Sequence, residues 1–144
     1  MKKILVLGST GSIGQSTLEI VRAFPDKFQI IGLSANQNTE ELERQIKEFD
    51  IKSVAVSDDI KANELKDKIN GKCEILVGSK GIIELVKRNN YDILVTALVG
   101  FAGLLPTIEA IKLKKRIALA NKETLVVAGE IIIKLLEKYG AEII

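Results

Sequence analysis

The stretch Lys2-Lys3-Ile4-Leu5-Val6-Leu7-Gly8-Ser9-Thr10-Gly11-Ser12-Ile13-Gly14-Gln15 decides the fold. An apolar run of strand length stops at a glycine. A short Gly/Ser/Thr loop follows, and a helical pattern begins. Strand, tight loop and helix N-terminus are the parts of a phosphate cradle: small residues let the backbone approach an anion, and the helix end offers N–H groups and a positive dipole. The glycines are spaced G-x-x-G-x-x-G rather than the G-x-G-x-x-G of the commonest dinucleotide fingerprint. Gly8 makes the turn, Gly14 lets helix and strand pack closely, and Thr10, Gly11, Ser12 and Ile13 aim backbone N–H groups at a diphosphate. The other reading of the same residues is a tight turn that holds nothing.

Working outward, the chain alternates strand and helix about seven times. Ile4 to Leu7 is the first strand. The first helix runs from Gly11 to Phe24, with Ile13, Leu18, Ile20, Val21 and Phe24 as its apolar face and Pro25 as its stop. Phe28 to Ser34 is the second strand, followed by the polar loop Ala35-Asn36-Gln37-Asn38. Thr39 reads as the N-cap of a helix with Glu40 and Glu41 in its first turn and Leu42, Ile46 and Phe49 inside. Ser53 to Val56 is a strand, and Asp58 to Ile69 a charged, exposed helix ended by Asn70-Gly71. Cys73 to Val77 is a strand, and Ser79 caps a helix through Arg88 that buries Ile82, Ile83, Leu85 and Val86. Asp92 to Ala97 is a strand, Gly100 to Gly103 a loop, and Leu104 to Lys114 a helix that tolerates Pro106 in its first turn. Arg116 to Ala120 is a strand. Asn121 to Thr124 opens a long helix to Tyr139, with Leu125, Val126, Ile131, Ile132, Leu135 and Leu136 apolar. Ala141 to Ile144 is a last strand, and its abrupt end reads as that of a domain from a longer protein.

This alternation with short connections predicts an α/β fold: a Rossmann-like, doubly wound, mostly parallel sheet of about seven strands with helices on both faces. At 144 residues one domain is expected, and at 47% apolar it has the material for a core. Aromatics make up only 4%, so that core is aliphatic, as suits a parallel sheet covered on both sides. Lys plus Arg is 21 against Asp plus Glu at 19, a balance that argues against nucleic acid as a partner. No apolar run reaches the roughly 18 residues of a membrane span, and the apolar stretch after Lys2-Lys3 is too short for a signal peptide. The one cysteine, Cys73, is read as an ordinary half-buried side chain in a reducing, cytoplasmic setting. Histidine is absent, which removes the commonest acid–base group and metal ligand. No set of acids makes a metal site within the chain, and Lys112, Lys114, Lys115 and Arg116 read as a solvated helix end.

In an open α/β sheet ligands bind at the carboxyl ends of the strands. The loops after the first, second, fifth and sixth strands therefore share one edge. The second, Leu33 to Asn38, lacks the acid that usually holds the ribose hydroxyls of NAD. Asn36, Gln37 and Asn38 can donate to a 2′-phosphate, which favours NADP. A plain polar loop capping a helix is the competing reading. After the sixth strand, Lys122 stands beside Asn121 and Glu123. Spacing alone reads this first as a capped helix start with a solvated ion pair; a lysine there could also reach a substrate phosphate.

Four segments in this order resemble one family. Gly8 to Gly14 followed by Ser16-Thr17-Leu18, then Leu33 to Asn38, then Val99-Gly100-Phe101-Ala102-Gly103-Leu104-Leu105-Pro106, then Ala120-Asn121-Lys122-Glu123-Thr124-Leu125-Val126, are similar to the N-terminal NADPH-binding domain of 1-deoxy-D-xylulose 5-phosphate reductoisomerases. The resemblance covers essentially all of residues 1–144. It implies an NADPH-dependent enzyme of non-mevalonate isoprenoid biosynthesis that isomerises and reduces that sugar phosphate to 2-C-methyl-D-erythritol 4-phosphate with a divalent metal (Mg, Mn or Co). It further implies a homodimeric parent. By resemblance Thr10, Gly11, Ser12 and Ile13 bind the diphosphate. Asn36, Gln37 and Asn38 surround the 2′-phosphate, Asn121 and Glu123 bind cofactor, and Lys122 binds substrate. Some relatives carry Gly-Lys-Asn where this chain has Asn36-Gln37-Asn38, so the site's location carries over and the lysine's share of its strength does not. The family's metal ligands and catalytic loop lie beyond Ile144, so this chain is expected to hold no catalytic residue and to be inactive alone. The readings set against this are another NADP-dependent oxidoreductase, such as a semialdehyde dehydrogenase, and a non-enzymatic nucleotide-sensing module.

Overall fold

The computed structural model describes residues 1–120 and 123–144, and the side chains of Glu123, Thr124 and Val127 fall outside the description. Seven strands are described: β1 (Lys2–Leu7), β2 (Phe28–Ala35), β3 (Ser53–Val56), β4 (Glu74–Val77), β5 (Ile93–Thr96), β6 (Arg116–Leu119) and β7 (Glu142–Ile143). Six α-helices alternate with them: α1 (Ser12–Ala23), α2 (Thr39–Phe49), α3 (Asp59–Ile69), α4 (Gly78–Lys87), α5 (Leu104–Lys112) and α6 (Glu123–Tyr139). The sheet order is β4-β3-β2-β1-β5-β6-β7, and every pairing is parallel.

The unbroken apolar run of β1 works because both faces of the sheet are covered. Ile4 and Val6 face one core layer with Leu18 and Val21 of α1, Leu42 and Ile46 of α2, and Leu65 of α3. Leu5 and Leu7 face the other, with Leu85 and Val86 of α4, Ile111 of α5 and Ile132 of α6. Strand β2 keeps step with β1 through a bulge: Ile4 pairs with Ile30, but Leu5 pairs with Gly32. After β4 the chain returns to the far side of β1, so the winding reverses between β1 and β5. Right-handed crossovers then carry the later helices over the opposite face. All carboxyl ends share one edge, and the crevice of a doubly wound sheet opens where the winding reverses.

The turn out of β1 is set by two glycines. Gly8 has φ +82°, and a Cβ there would stand 2.8 Å from the Ala97 carbonyl oxygen. Gly14 sits so close beneath the turn that a Cβ would be 2.1 Å from the Gly8 carbonyl oxygen.

Several local expectations are corrected. The buried stripe of α1 is Gly14, Leu18 and Val21, whereas Ile13, Ile20 and Phe24 are about half exposed. The i, i+4, i+7 row fixed by Gly14 turns those three away from the sheet. Asn38, not Thr39, caps α2, accepting from the Glu41 N–H at 3.3 Å. Ser79 lies within α4, whose N-cap is Val77 with no capping side chain. Asp58 caps α3, which buries Ala62, Leu65 and Ile69 rather than standing free. Residues Gly100–Gly103 form a 3-10 turn, and α6 is kinked at Ala128. Of the six apolar positions expected inside α6 only Ile132 is fully buried, while Leu125, Val126 and Ile131 are exposed. Cys73 is buried, and burial pushes its thiol up to about 11. The basic cluster divides: Lys112 pairs with Glu109, Arg116 with Glu142, and Lys115 donates to the Tyr91 carbonyl beneath it.

Two outcomes follow for stability. Gly14→Ala is expected to cost about 3 kcal/mol or more in chemical denaturation, because the clash is with backbone. The carboxyls of Glu48, Glu74 and Asp92 are held below the usual range, chiefly by hydrogen bonds from Arg22, from Arg88 and from the Lys3 backbone N–H respectively. A carboxyl whose folded pKa is depressed stabilises the fold above the unfolded value of about 4 and loses that contribution as pH falls through the folded value. Melting temperature is therefore expected to be flat between about pH 6 and 8 and to drop below about pH 4, the drop being smaller in Glu74→Gln.

Candidate functional site

The cradle is built from the β1–α1 turn. Gly11 is the N-cap of α1, but it has no side chain to offer, and the first turn of the helix carries no acid. The N–H groups of Ser12 and Ile13 lie in the first turn, where a helix has no acceptor of its own. Thr10 and Gly11 donate their N–H groups to no acceptor among the described residues. Gly11 has φ −79°, and a Cβ there would meet nothing nearer than the Gly8 carbonyl oxygen at 3.9 Å. Its smallness therefore answers no internal contact; it keeps the outer face of the turn open. Thr10 is half-buried, and Gly11, Ser12 and Ile13 are exposed. Four N–H groups thus gather at the positive end of a helix with no counterpart among the described residues, the arrangement an anion completes.

The turn itself is held from behind. The Gly8 and Ser9 N–H groups donate to the Ser34 carbonyl at 3.1 and 2.9 Å, and Gly8 N–H also lies 3.0 Å from Ser34 Oγ. Ser9 Oγ donates to Gln45 Oε1 at 2.7 Å, and Gln45 Nε2 donates to the Ser9 carbonyl at 3.0 Å. Sequence reasoning missed Ser34 and Gln45. The available signal was a glutamine on the Leu42–Ile46 stripe of α2, where an amide needs internal partners.

The β2–α2 loop lies on the same edge, with Asn36, Gln37 and Asn38 all exposed. Its backbone is braced by the turn after β3: Ser57 N–H donates to the Ala35 carbonyl and Asp58 N–H to the Asn36 carbonyl. Asn38 Oδ1 is occupied as the helix cap. Gln37 Nε2 leans on Asp58 Oδ2 at 3.3 Å. The Asp58 carboxyl is itself held below the usual range, mainly by the Lys61 backbone N–H that it caps. The loop therefore offers amide donors, no cation and one nearby carboxylate.

Between this loop and the 3-10 turn after β5 lies a cleft of about 430 Å³. Ile82, Leu98, Phe101 and Leu105 supply apolar walls, and Asn36 and Ser57 a polar rim. The expectation that the loops after β1, β2 and β5 share one edge is met, while Ser57, Ile82 and Leu105 were not anticipated as lining residues. Thr96, at the end of β5, keeps a buried hydroxyl with no partner among the described residues. Asn121 and Lys122 lie outside the described residues, as does the side chain of Glu123, so the third expected group has no geometry to report. A wider groove of about 760 Å³ opens at the opposite edge, between the C-terminal ends of α2 and α3. Helix C-termini present negative dipole ends, which suit its lysines rather than an anionic ligand.

The geometry has counterparts among known proteins. The family model described as 1-deoxy-D-xylulose 5-phosphate reductoisomerase matches residues 4–129. The reductoisomerase of Thermoanaerobacter sp. (strain X514) is 51% identical over 138 residues, covering 96% of this chain and 36% of that protein. The solved enzyme from Zymomonas mobilis, in complex with NADPH, superposes with a TM-score of 0.93 at 35% identity, over 99% of this chain and 38% of its own. A DOX-P reductoisomerase in complex with NADPH, fosmidomycin and magnesium superposes at 0.94 with 38% identity, over 99% of this chain and 36% of its own. The chain thus spans little more than a third of the length of the relatives it matches. A semialdehyde dehydrogenase is not favoured by these matches. With the family model matched over most of its length, and with the uncapped cradle at the winding reversal of a parallel sheet, the chain belongs to the 1-deoxy-D-xylulose 5-phosphate reductoisomerase family.

Proposed function

We propose that residues 1–144 are the NADPH-binding domain of a reductoisomerase that converts 1-deoxy-D-xylulose 5-phosphate to 2-C-methyl-D-erythritol 4-phosphate. The observation that carries this reading is the α1 N-terminus, whose gathered N–H groups have no acceptor among the described residues and lie over an open Gly11. On this reading the N–H groups of Thr10, Gly11, Ser12 and Ile13 hold the diphosphate. Asn36, Gln37 and Asn38 surround the adenosine 2′-phosphate, and the cleft between Asn36 and Phe101 takes the adenine ring. Asn121 and Glu123 contact the cofactor and Lys122 the substrate, roles supported by resemblance alone.

NADPH, when bound, supplies a hydride to the aldehyde formed by rearrangement of the substrate. The chain's own contribution is to bind and orient. Charge complementarity at α1 anchors the diphosphate, and a rigid turn fixes where the rest of the cofactor extends. The divalent metal and the rearrangement itself are assigned to the remainder of the parent. The parent is read as a cytoplasmic homodimer acting on a free sugar phosphate, rather than on nucleic acid or a membrane. Family resemblance and near-neutral charge support that reading, and no helix among the described residues is long and apolar enough to cross a membrane.

Calorimetric titration tests the cofactor assignment: NADPH is expected to bind more tightly than NADH, and equal binding, or none, would sink it. Gln37→Lys is expected to raise the preference for NADPH about fivefold, the worth of one added charge some 4 Å from a phosphate in water. In a turnover assay with substrate, NADPH and Mg²⁺, the 144-residue chain is expected to form no product; measurable product would place the catalytic groups within it.

A further inference from the structure

Gln45 is 1% exposed and Ser9 is fully buried, so neither side chain reaches a ligand. Both nevertheless bear on the cradle. The Ser9 carbonyl only accepts, so the Gln45 amide must turn its NH₂ toward it, which leaves Oε1 for the Ser9 hydroxyl. The two bonds, 3.0 and 2.7 Å, close a ring around a single residue of the turn. Every polar atom of the pair that is shut away from water is thereby satisfied, the condition under which a buried polar contact fixes geometry.

The consequence lies in the next peptide. Ser9 C=O and Thr10 N–H belong to one planar trans unit and point in opposite directions. Holding the carbonyl inward, against α2, turns the Thr10 N–H outward, to the side where Gly11 leaves the turn open. Ser34 fixes the two peptides before it, through the Gly8 and Ser9 N–H groups. The peptide that leads into α1 is thus clamped on its inner side by β2 and α2 and left bare on its outer side.

We propose that Gln45 is a positioning residue for the cofactor site: acting through Ser9, it presets the direction of the first N–H of the diphosphate cradle. The proposal rests on the NADPH reading above. It also assigns α2 two roles, since the helix carries Asn38 of the 2′-phosphate loop at its N-terminus and the clamp on the diphosphate loop two turns later. Without the clamp the Ser9–Thr10 peptide is free to rotate, and the ligand must order it on binding.

The test is NADPH affinity of folded protein, with folding checked by circular dichroism at the temperature of titration. Gln45→Met keeps the bulk and removes both bonds; Ser9→Ala removes the hydroxyl's bond to Gln45 together with its longer contact, 3.3 Å, to the Ser34 carbonyl. Each is expected to weaken NADPH binding, Gln45→Met by about tenfold, the net worth of a hydrogen bond in a buried network. The double variant is expected to bind less weakly than the two single losses multiplied together, because both remove the same Ser9–Gln45 bond. A merely structural role would lower the melting temperature and leave the affinity of the folded chain unchanged. The proposal is overturned if the folded variants bind NADPH within twofold of the parent. Should Gln45→Met not fold, Ser9→Ala decides alone. A parent chain that binds no NADPH would instead overturn the reading beneath it.

Discussion

Position 14 has room for a hydrogen and nothing larger, and much of the molecule's order follows from that contact. Because the Gly8 carbonyl oxygen would lie 2.1 Å from a Cβ on Gly14, α1 can start only against the tail of β1. That fixes which row of α1 meets the sheet. It brings the uncapped N-terminus to the carboxyl edge, beside the point where the strand order reverses. The positive end of the helix, the open face of the turn and the crevice between β1 and β5 then coincide by construction.

A parallel sheet brings the rest together. With all pairings parallel, the loops after β1, β2 and β5 share one edge, and two apolar layers bury the faces that would otherwise compete for ligand. The same arrangement leaves the helix C-termini and their lysines at the other edge. Polarity is therefore sorted by direction along the strands, with helix N-termini at one edge and helix C-termini at the other.

Much of this was legible in the residues. The apolar run Ile4–Leu7, the small residues after it and the regular alternation to Ile143 specify a parallel sheet and the edge its loops share, because short right-handed connections leave few other topologies; the strand order itself comes from the structure. Periodicity erred where apolar residues were more numerous than the inward row could hold: Ile13, Ile20 and Phe24 satisfy a hydrophobic count but not the angle that Gly14 imposes. Capping erred by a residue at Asn38, since neighbouring polar side chains compete for one N–H. Inside α4 the backbone of Val77–Gly78, with its φ of +76° at the glycine, starts the helix before the serine. A glutamine on the buried stripe of α2 signals that internal partners exist, but its partner Ser9 lies 36 residues away, and no local pattern names it.

The bare start of α1 couples occupancy to folding. A capping side chain commonly completes a helix's first turn; α1 has none, and on the reading proposed above the cofactor's diphosphate takes that place. A ligand that binds only the ordered turn adds its binding free energy to the stability of the folded chain, in proportion to the logarithm of its concentration over its dissociation constant. On the NADPH reading proposed above, the protein's resistance to unfolding and to proteolysis would follow the concentration of reduced cofactor, and the missing cap would make that cofactor, thermodynamically, a late-arriving part of the fold.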